Sequence, residues 1–152
     1  MALILATESA VLLFSGQMTR NRVMLVGAYL SAAFSIFWGM DGMLEHETHG
    51  LWLAIGLGLL MTVNSLVAHY YLAAKQQPSV GTLQLRPQPA YFFVLALAIW
   101  LVATWNNTAH ANFPVFLAIE AVLLVSTVYL TRIPEITLLS FGYLGLAQII
   151  WA

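Results

Sequence analysis

Long apolar blocks, each close in length to the thickness of a lipid bilayer, divide this chain into a regular series. Within lipid such a block must form a helix, because every backbone N–H and C=O group has to find its hydrogen-bond partner inside the segment. Six blocks can be drawn, and they cover residues 2–18, 23–40, 51–74, 90–105, 113–130 and 136–152. The sequence therefore predicts an all-α integral membrane bundle of about six transmembrane helices, which forms a single domain over residues 1–152.

The scarcity of charge supports the same interpretation and excludes several classes of function. Charged residues make up 7% of the chain, whereas a soluble domain carries about 25%. The net charge of −1 and the lack of a basic stripe argue against nucleic-acid binding. The chain has no cysteine, which rules out disulfides and thiolate chemistry. No nucleophile elbow, phosphate-binding loop or HExxH motif is present, so we do not expect an enzyme.

The basic residues predict how the helices are oriented. All five lie in the first, third and fifth connections, which share one side of a six-span bundle: Arg20, Arg22, Lys75, Arg86 and Arg132. Basic residues in short connections mark the cytoplasmic side. The opposite ends of the blocks carry tryptophans, which prefer the membrane interface: Trp38, Trp52, Trp105 and Trp151. We therefore expect a bacterial inner-membrane protein with both termini on the outer side.

The first and last predicted hairpins share a pattern that indicates an internal repeat. Residues 5–20 align without gaps on residues 117–132, and each copy is followed by a further apolar block. The pairs that carry most weight are Glu8 with Glu120, Thr19 with Thr131, and Arg20 with Arg132.

Hairpins with Leu-Ala-x-Glu, an apolar run, a tight arginine-containing turn and a second apolar helix resemble those of a bacterial family of many-spanning membrane proteins of unknown function. Members of that family stack many such hairpins. The resemblance covers the first and last hairpins, and it implies a membrane location and no established chemistry.

Two acidic residues, Glu8 and Glu120, lie well inside apolar blocks. An acid at that depth costs about 2.5–3.5 kcal/mol on insertion scales, so it normally faces the bundle interior or a partner. Each glutamate could hydrogen-bond a neighbouring helix, or the two could form a proton or cation site, or they could contact another subunit or a ligand. Because Glu8 interrupts the first block early and no basic residue precedes it, we expect this block to be retained rather than removed as a signal peptide.

A stripe of small residues in the second block predicts close helix packing. Gly27, Ser31, Ser35 and Gly39 recur every four residues, which places them along one side of a helix. Small side chains let two helix backbones approach each other closely. Either another helix of this chain or a different protein could fill the resulting groove.

The four histidines fall into two groups. His46, His49 and His110 lie in the two outer connections, where they could bind Zn or Cu or remain solvated. His69 lies within the third block and could be an axial ligand of a haem or a chlorophyll-type pigment. It could equally hydrogen-bond a carbonyl group or lie at the headgroup layer. On balance no cofactor is predicted.

These observations favour a non-catalytic membrane subunit that packs in a larger membrane complex or associates with itself within the bilayer. The alternative is a small transporter or ion-conducting protein that uses Glu8 and Glu120, since internal repeats and midplane polar groups are typical of transporters. A haem- or pigment-binding subunit that uses His69 is the third hypothesis.

Overall fold

The structure is a computed structural model, and it describes residues 1–45, 50–73, 87–131 and 134–151. These residues are almost entirely helical, and the described ranges contain no strand. The helices are α1 (Ala2–Thr19), α2 (Arg22–Glu45), α3 (Gly50–Ala73), α4 (Pro87–Asn107), α5 (Phe113–Thr131) and α6 (Pro134–Trp151), with a short 3-10 helix at His110–Asn112. The predicted all-α class is thus confirmed, and each helix corresponds to one predicted block.

Four helices are long and apolar enough to cross a membrane. They are α1, α2, α4 and the Gly50–Tyr71 part of α3, with mean hydropathies between 1.3 and 1.9. The last two helices contribute shorter apolar stretches to the described part of the chain, Phe113–Ser126 in α5 and Ser140–Ile150 in α6. By length and composition, each of these four helices could cross a membrane.

The helices pair in chain order as three antiparallel hairpins, α1 with α2, α3 with α4, and α5 with α6. The first two hairpins form a four-helix unit, in which α1 packs on α3 while α2 packs on both α3 and α4. The third hairpin packs against α4. Helix α4 therefore connects the four-helix unit to α5 and α6.

Many alanines lie in the interior of this bundle beside larger apolar residues, and many large apolar side chains also face outward. The buried set includes Ala6, Ala28, Ala32, Ala54, Ala68, Ala96 and Ala103. The exposed set includes Val11, Leu30, Phe34, Phe37, Leu59, Val63, Val94, Ile119 and Val122. A helix that is apolar on its outward as well as its inward side is typical of a membrane span. The small interior residues bring the helix backbones close together.

A two-residue turn joins α1 to α2. Arg20 adopts the left-handed conformation (φ 54°, ψ 31°) that commonly ends a helix. The backbone N–H groups of Arg20 and Asn21 both reach the carbonyl oxygen of Gly16, the latter at 3.1 Å. The Asn21 side chain then accepts a hydrogen bond of 3.0 Å from the N–H of Val23 and so caps the start of α2.

Helix α2 is longer than the predicted block, which ended at residue 40. The helix continues to Glu45, so the prediction that Asp41 opens a polar connection was wrong. Two contacts stabilise the extra turn. The Met43 side chain is buried, and the Met43 carbonyl oxygen accepts a hydrogen bond of 2.8 Å from Nδ2 of Asn106 at the end of α4. This bond places the C-terminal ends of α2 and α4 at the same end of the bundle.

Candidate functional site

Glu8 and Glu120 occupy different surroundings, although the sequence places them in matching positions. Glu120 is half-buried between α4, α5 and α6, where two hydroxyl groups bind its carboxyl group. Glu8 is exposed on the outward face of α1, and no residue in the described ranges forms a hydrogen bond with its carboxyl group. The two side chains share no hydrogen bond, and their helices pack against different neighbours.

The Glu120 carboxyl group receives one hydrogen bond on each oxygen. The Thr104 hydroxyl, from α4, donates to Oε1, and the Tyr143 hydroxyl, from α6, donates to Oε2 at 2.5 Å. Thr104 and Tyr143 are each only 7% exposed. Because the two donors come from two different helices, the carboxyl group connects all three helices that surround it.

An apolar cavity of about 200 Å³ lies beside this carboxyl group. Its walls are formed by Leu97, Trp100, Glu120, Leu123, Leu124 and Tyr143. Sequence reasoning found Glu120 but missed Thr104 and Tyr143. Both lie among apolar residues within predicted blocks, and no spacing rule connects them to Glu120 before the helices are packed.

The small-residue stripe of α2 packs against helices of the same chain. A Cβ atom built on Gly27 would lie 3.3 Å from Cδ1 of Leu12, in α1. Ser35 and Gly39 are buried, and Gly39 faces α3 and α4. Ser31 is half-buried. Helices of this chain thus lie against the stripe at Gly27 and at Gly39.

A buried polar network that the sequence did not reveal ties α1, α2 and α3 together. The Asn64 side chain donates a hydrogen bond of 3.3 Å to Oγ of Ser9, and the Ser9 hydroxyl donates one of 2.8 Å to the carbonyl oxygen of Ala28. Ser9 and Asn64 are 0% and 1% exposed. Ser9 follows Glu8 directly in the sequence, but Ser9 is buried in this network whereas Glu8 is exposed.

Of the predicted cofactor ligands, the structure describes the side chain of His69. His69 is half-buried in α3, where its ring packs edge-on against Tyr70 with a centroid distance of 5.9 Å. His46 and His49, and the side chain of His110, lie outside the described residues. Among the residues that are described, no group of three or more histidine or acidic side chains could hold a metal ion.

Comparison with known proteins gives no relative. No family model, no curated protein and no solved structure matches this chain.

Proposed function

We propose that this chain is a non-catalytic integral membrane subunit with six spans, which packs through the outward face of α1 against a helix of a larger membrane complex. The observation that carries this proposal is the position of Glu8. Its carboxyl group is exposed on an apolar helix, about 9 Å along the axis from the first residue. At that depth, lipid offers the carboxyl group no hydrogen-bond donor.

The outward face of α1 has the form of a helix-packing stripe. Ile4, Thr7, Glu8, Val11 and Met18 are exposed, and they recur at intervals of three, four and seven residues. This spacing gathers them on one side of the helix. The opposite side of α1 is buried against α2 and α3 through Ala2, Ala6, Ser9, Leu13 and Gly16. The stripe, including Glu8, is therefore exposed on the bundle, where a partner can bind to it.

The chemistry of the stripe defines the partner. Apolar side chains on both sides of Glu8 fit the surface of a second transmembrane helix, and the carboxyl group requires a hydrogen-bond donor at the same depth. An asparagine, glutamine, serine, threonine or basic side chain of the partner helix would meet that need. A soluble partner would have no access to this depth.

The other proposed spans and the orientation rest on the same physical basis. Large apolar side chains are exposed on α5 and α6 as well as on the first four helices, for example Ile119 and Phe141. The basic Arg20 and Arg22 lie at one end of the bundle, and the exposed tryptophans of α2, α3 and α4 lie at the other: Trp38, Trp52 and Trp105. These positions support an inner-membrane protein with the arginine end in the cytoplasm.

The two alternative functions, a transporter and a haem- or pigment-binding subunit, have less support from the positions of their residues. A transporter that uses paired carboxylates would need Glu8 and Glu120 near one another, and the two groups lie in separate environments. A haem held by two axial histidines would need a second histidine within an apolar block, and His69 is the only histidine of the sequence in such a block.

Site-directed photo-crosslinking in native membranes tests the subunit proposal. A photoreactive residue at Val11, within the stripe, should cross-link to one defined membrane protein. The same residue at Leu59, which is equally exposed on α3, is the control and should give no specific product. Glu8→Leu should abolish the Val11 product, because it leaves the partner's donor unsatisfied at a cost of about 1–3 kcal/mol. Glu8→Gln should preserve it, since the amide keeps the size and the hydrogen-bonding capacity.

Two results would contradict the proposal. If Val11 cross-links only to lipid, no other protein contacts the outward face of α1. If the product persists unchanged in Glu8→Leu, the carboxyl group plays no part in the contact. A product between two copies of this chain would replace the larger complex with self-association.

A further inference from the structure

The cavity beside Glu120 is lined by apolar and aromatic side chains together with one acidic residue. Leu97, Leu123 and Leu124 form its apolar walls, and Trp100 and Tyr143 add two aromatic rings. Among the described residues of its lining, Glu120 alone carries a carboxyl group. A largely apolar pocket with a few convergent polar groups is the usual form of a small-molecule site.

The carboxyl group is held in place and still has acceptor capacity. The hydroxyl groups of Thr104 and Tyr143 each donate one hydrogen bond to it, and both side chains are buried. A carboxylate has about four acceptor positions, so two remain open. The two donors orient the group without supplying a positive charge.

No lysine or arginine of this chain lies inside one of the predicted apolar blocks. The sequence has five lysine and arginine residues, and all of them lie in the connections between the apolar blocks or at their edges. Within the described part of the chain, the two hydroxyl groups are the only hydrogen-bond partners of the Glu120 carboxyl group. An ionised carboxylate at this depth therefore requires a positive charge from elsewhere.

We propose that this cavity binds a small apolar amine as its ammonium ion. The ammonium group would donate a charge-assisted hydrogen bond to Glu120, which is stronger than a bond between neutral groups. The rings of Trp100 and Tyr143 attract a nearby cation through their π faces, and the leucines contact the apolar body. An apolar cavity of about 150 Å³ accommodates benzene, so the 200 Å³ found here suits an amine with a single ring.

This site is independent of the α1 stripe and of the subunit function proposed from it. It uses α4, α5 and α6, whereas the stripe is the outward face of α1. Failure of one proposal leaves the other unaffected, because one experiment measures cross-linking from α1 and the other measures benzylamine binding at α4, α5 and α6.

Binding of benzylamine to the purified full chain in detergent, measured by isothermal titration, tests the site. Benzyl alcohol is the neutral probe of similar size. We expect saturable binding of benzylamine at neutral pH and at least tenfold weaker binding of benzyl alcohol. Glu120→Gln should weaken benzylamine binding at least tenfold, because it removes the charge while keeping the size of the side chain. Glu8→Gln, which makes the same change outside the cavity, should leave benzylamine binding unchanged.

A second variant makes the test independent of whether Glu120→Gln folds. Leu123→Trp adds bulk at the cavity wall and leaves the carboxyl group in place. It should weaken benzylamine binding at least tenfold. Absence of saturable benzylamine binding to the unaltered protein would overturn the proposal. The proposal would also be overturned if the Leu123→Trp variant bound benzylamine as tightly as the unaltered protein. The same holds if a folded Glu120→Gln variant did so.

Discussion

Gly39 of α2 lies directly against Leu57 of α3, so that a Cβ atom on the glycine would overlap Cδ1 of the leucine. The same Cβ atom would lie 3.3 Å from Cδ1 of Ile99, in α4. Leu57 and Ile99 are both fully buried. At this point the backbone of α2 lies against side chains of α3 and α4.

Gly39→Ala should therefore destabilise the bundle. The added methyl group forces α2 away from α3, and overpacking of this kind costs about 1–3 kcal/mol. Reversible unfolding by sodium dodecyl sulfate in mixed micelles measures the change in the free energy of unfolding. Gly42→Ala is the matched control in the same helix, since a Cβ atom there meets nothing within 4 Å. The control should be neutral or slightly stabilising. Equal effects of the two substitutions would show that α2 and α3 do not approach closely at Gly39.

The Ser9–Asn64 hydrogen bond gives a second prediction. Ser9→Ala removes the hydroxyl that contacts both Asn64 and the Ala28 carbonyl, so it should lower the free energy of unfolding by about 0.6–1.7 kcal/mol, the range measured for hydrogen bonds between membrane helices. Thr7→Ala is the control, because the exposed Thr7 hydroxyl bonds only to Ile4 of its own helix.

A double-mutant cycle shows whether Ser9 and Asn64 act together. The loss in Ser9→Ala combined with Asn64→Leu should be smaller than the sum of the single losses, because either substitution breaks the shared bond. Strict additivity in the same micelle unfolding assay would mean that the two residues contribute independently.

Membrane topology is the third prediction. A reporter fused after Ala152 should lie outside the cytoplasm, and one inserted at Ser79 should lie inside, because the basic connections mark the cytoplasmic side. An alkaline phosphatase fusion reports the outer side, and a fluorescent protein fusion reports the inner side. A cytoplasmic reporter at Ala152 would rule out the six-span arrangement.

The sequence predicted the helices well because the apolar blocks are long and are separated by short polar connections. Each apolar block corresponds to one helix, and Pro87 and Pro134 begin α4 and α6, as suits a residue without a backbone N–H. The end of α2 could not be predicted. Asp41 and Glu45 are typical of a polar connection, and the contacts that extend the helix involve Asn106, which is distant in sequence.

The candidate site was predictable only in part, for a similar reason. The sequence identified Glu8 and Glu120 as costly residues, yet it could not distinguish them, since the local patterns around them match. Their different surroundings depend on which way each helix faces in the bundle. The partners of Glu120, Thr104 and Tyr143, come from two other helices, and a hydroxyl in an apolar helix gives no signal of its own.

The short turn at Arg20 and Asn21 has a consequence for how the length of this chain can vary. Each residue inserted there would rotate one helix by about 100° relative to the other, which would turn Ser9 away from the Ala28 carbonyl that it now contacts across the hairpin. An insertion or a deletion in this turn thus changes the interior of the bundle as surely as a substitution in its core. In proteins that share this hairpin, differences in length belong in connections other than this one.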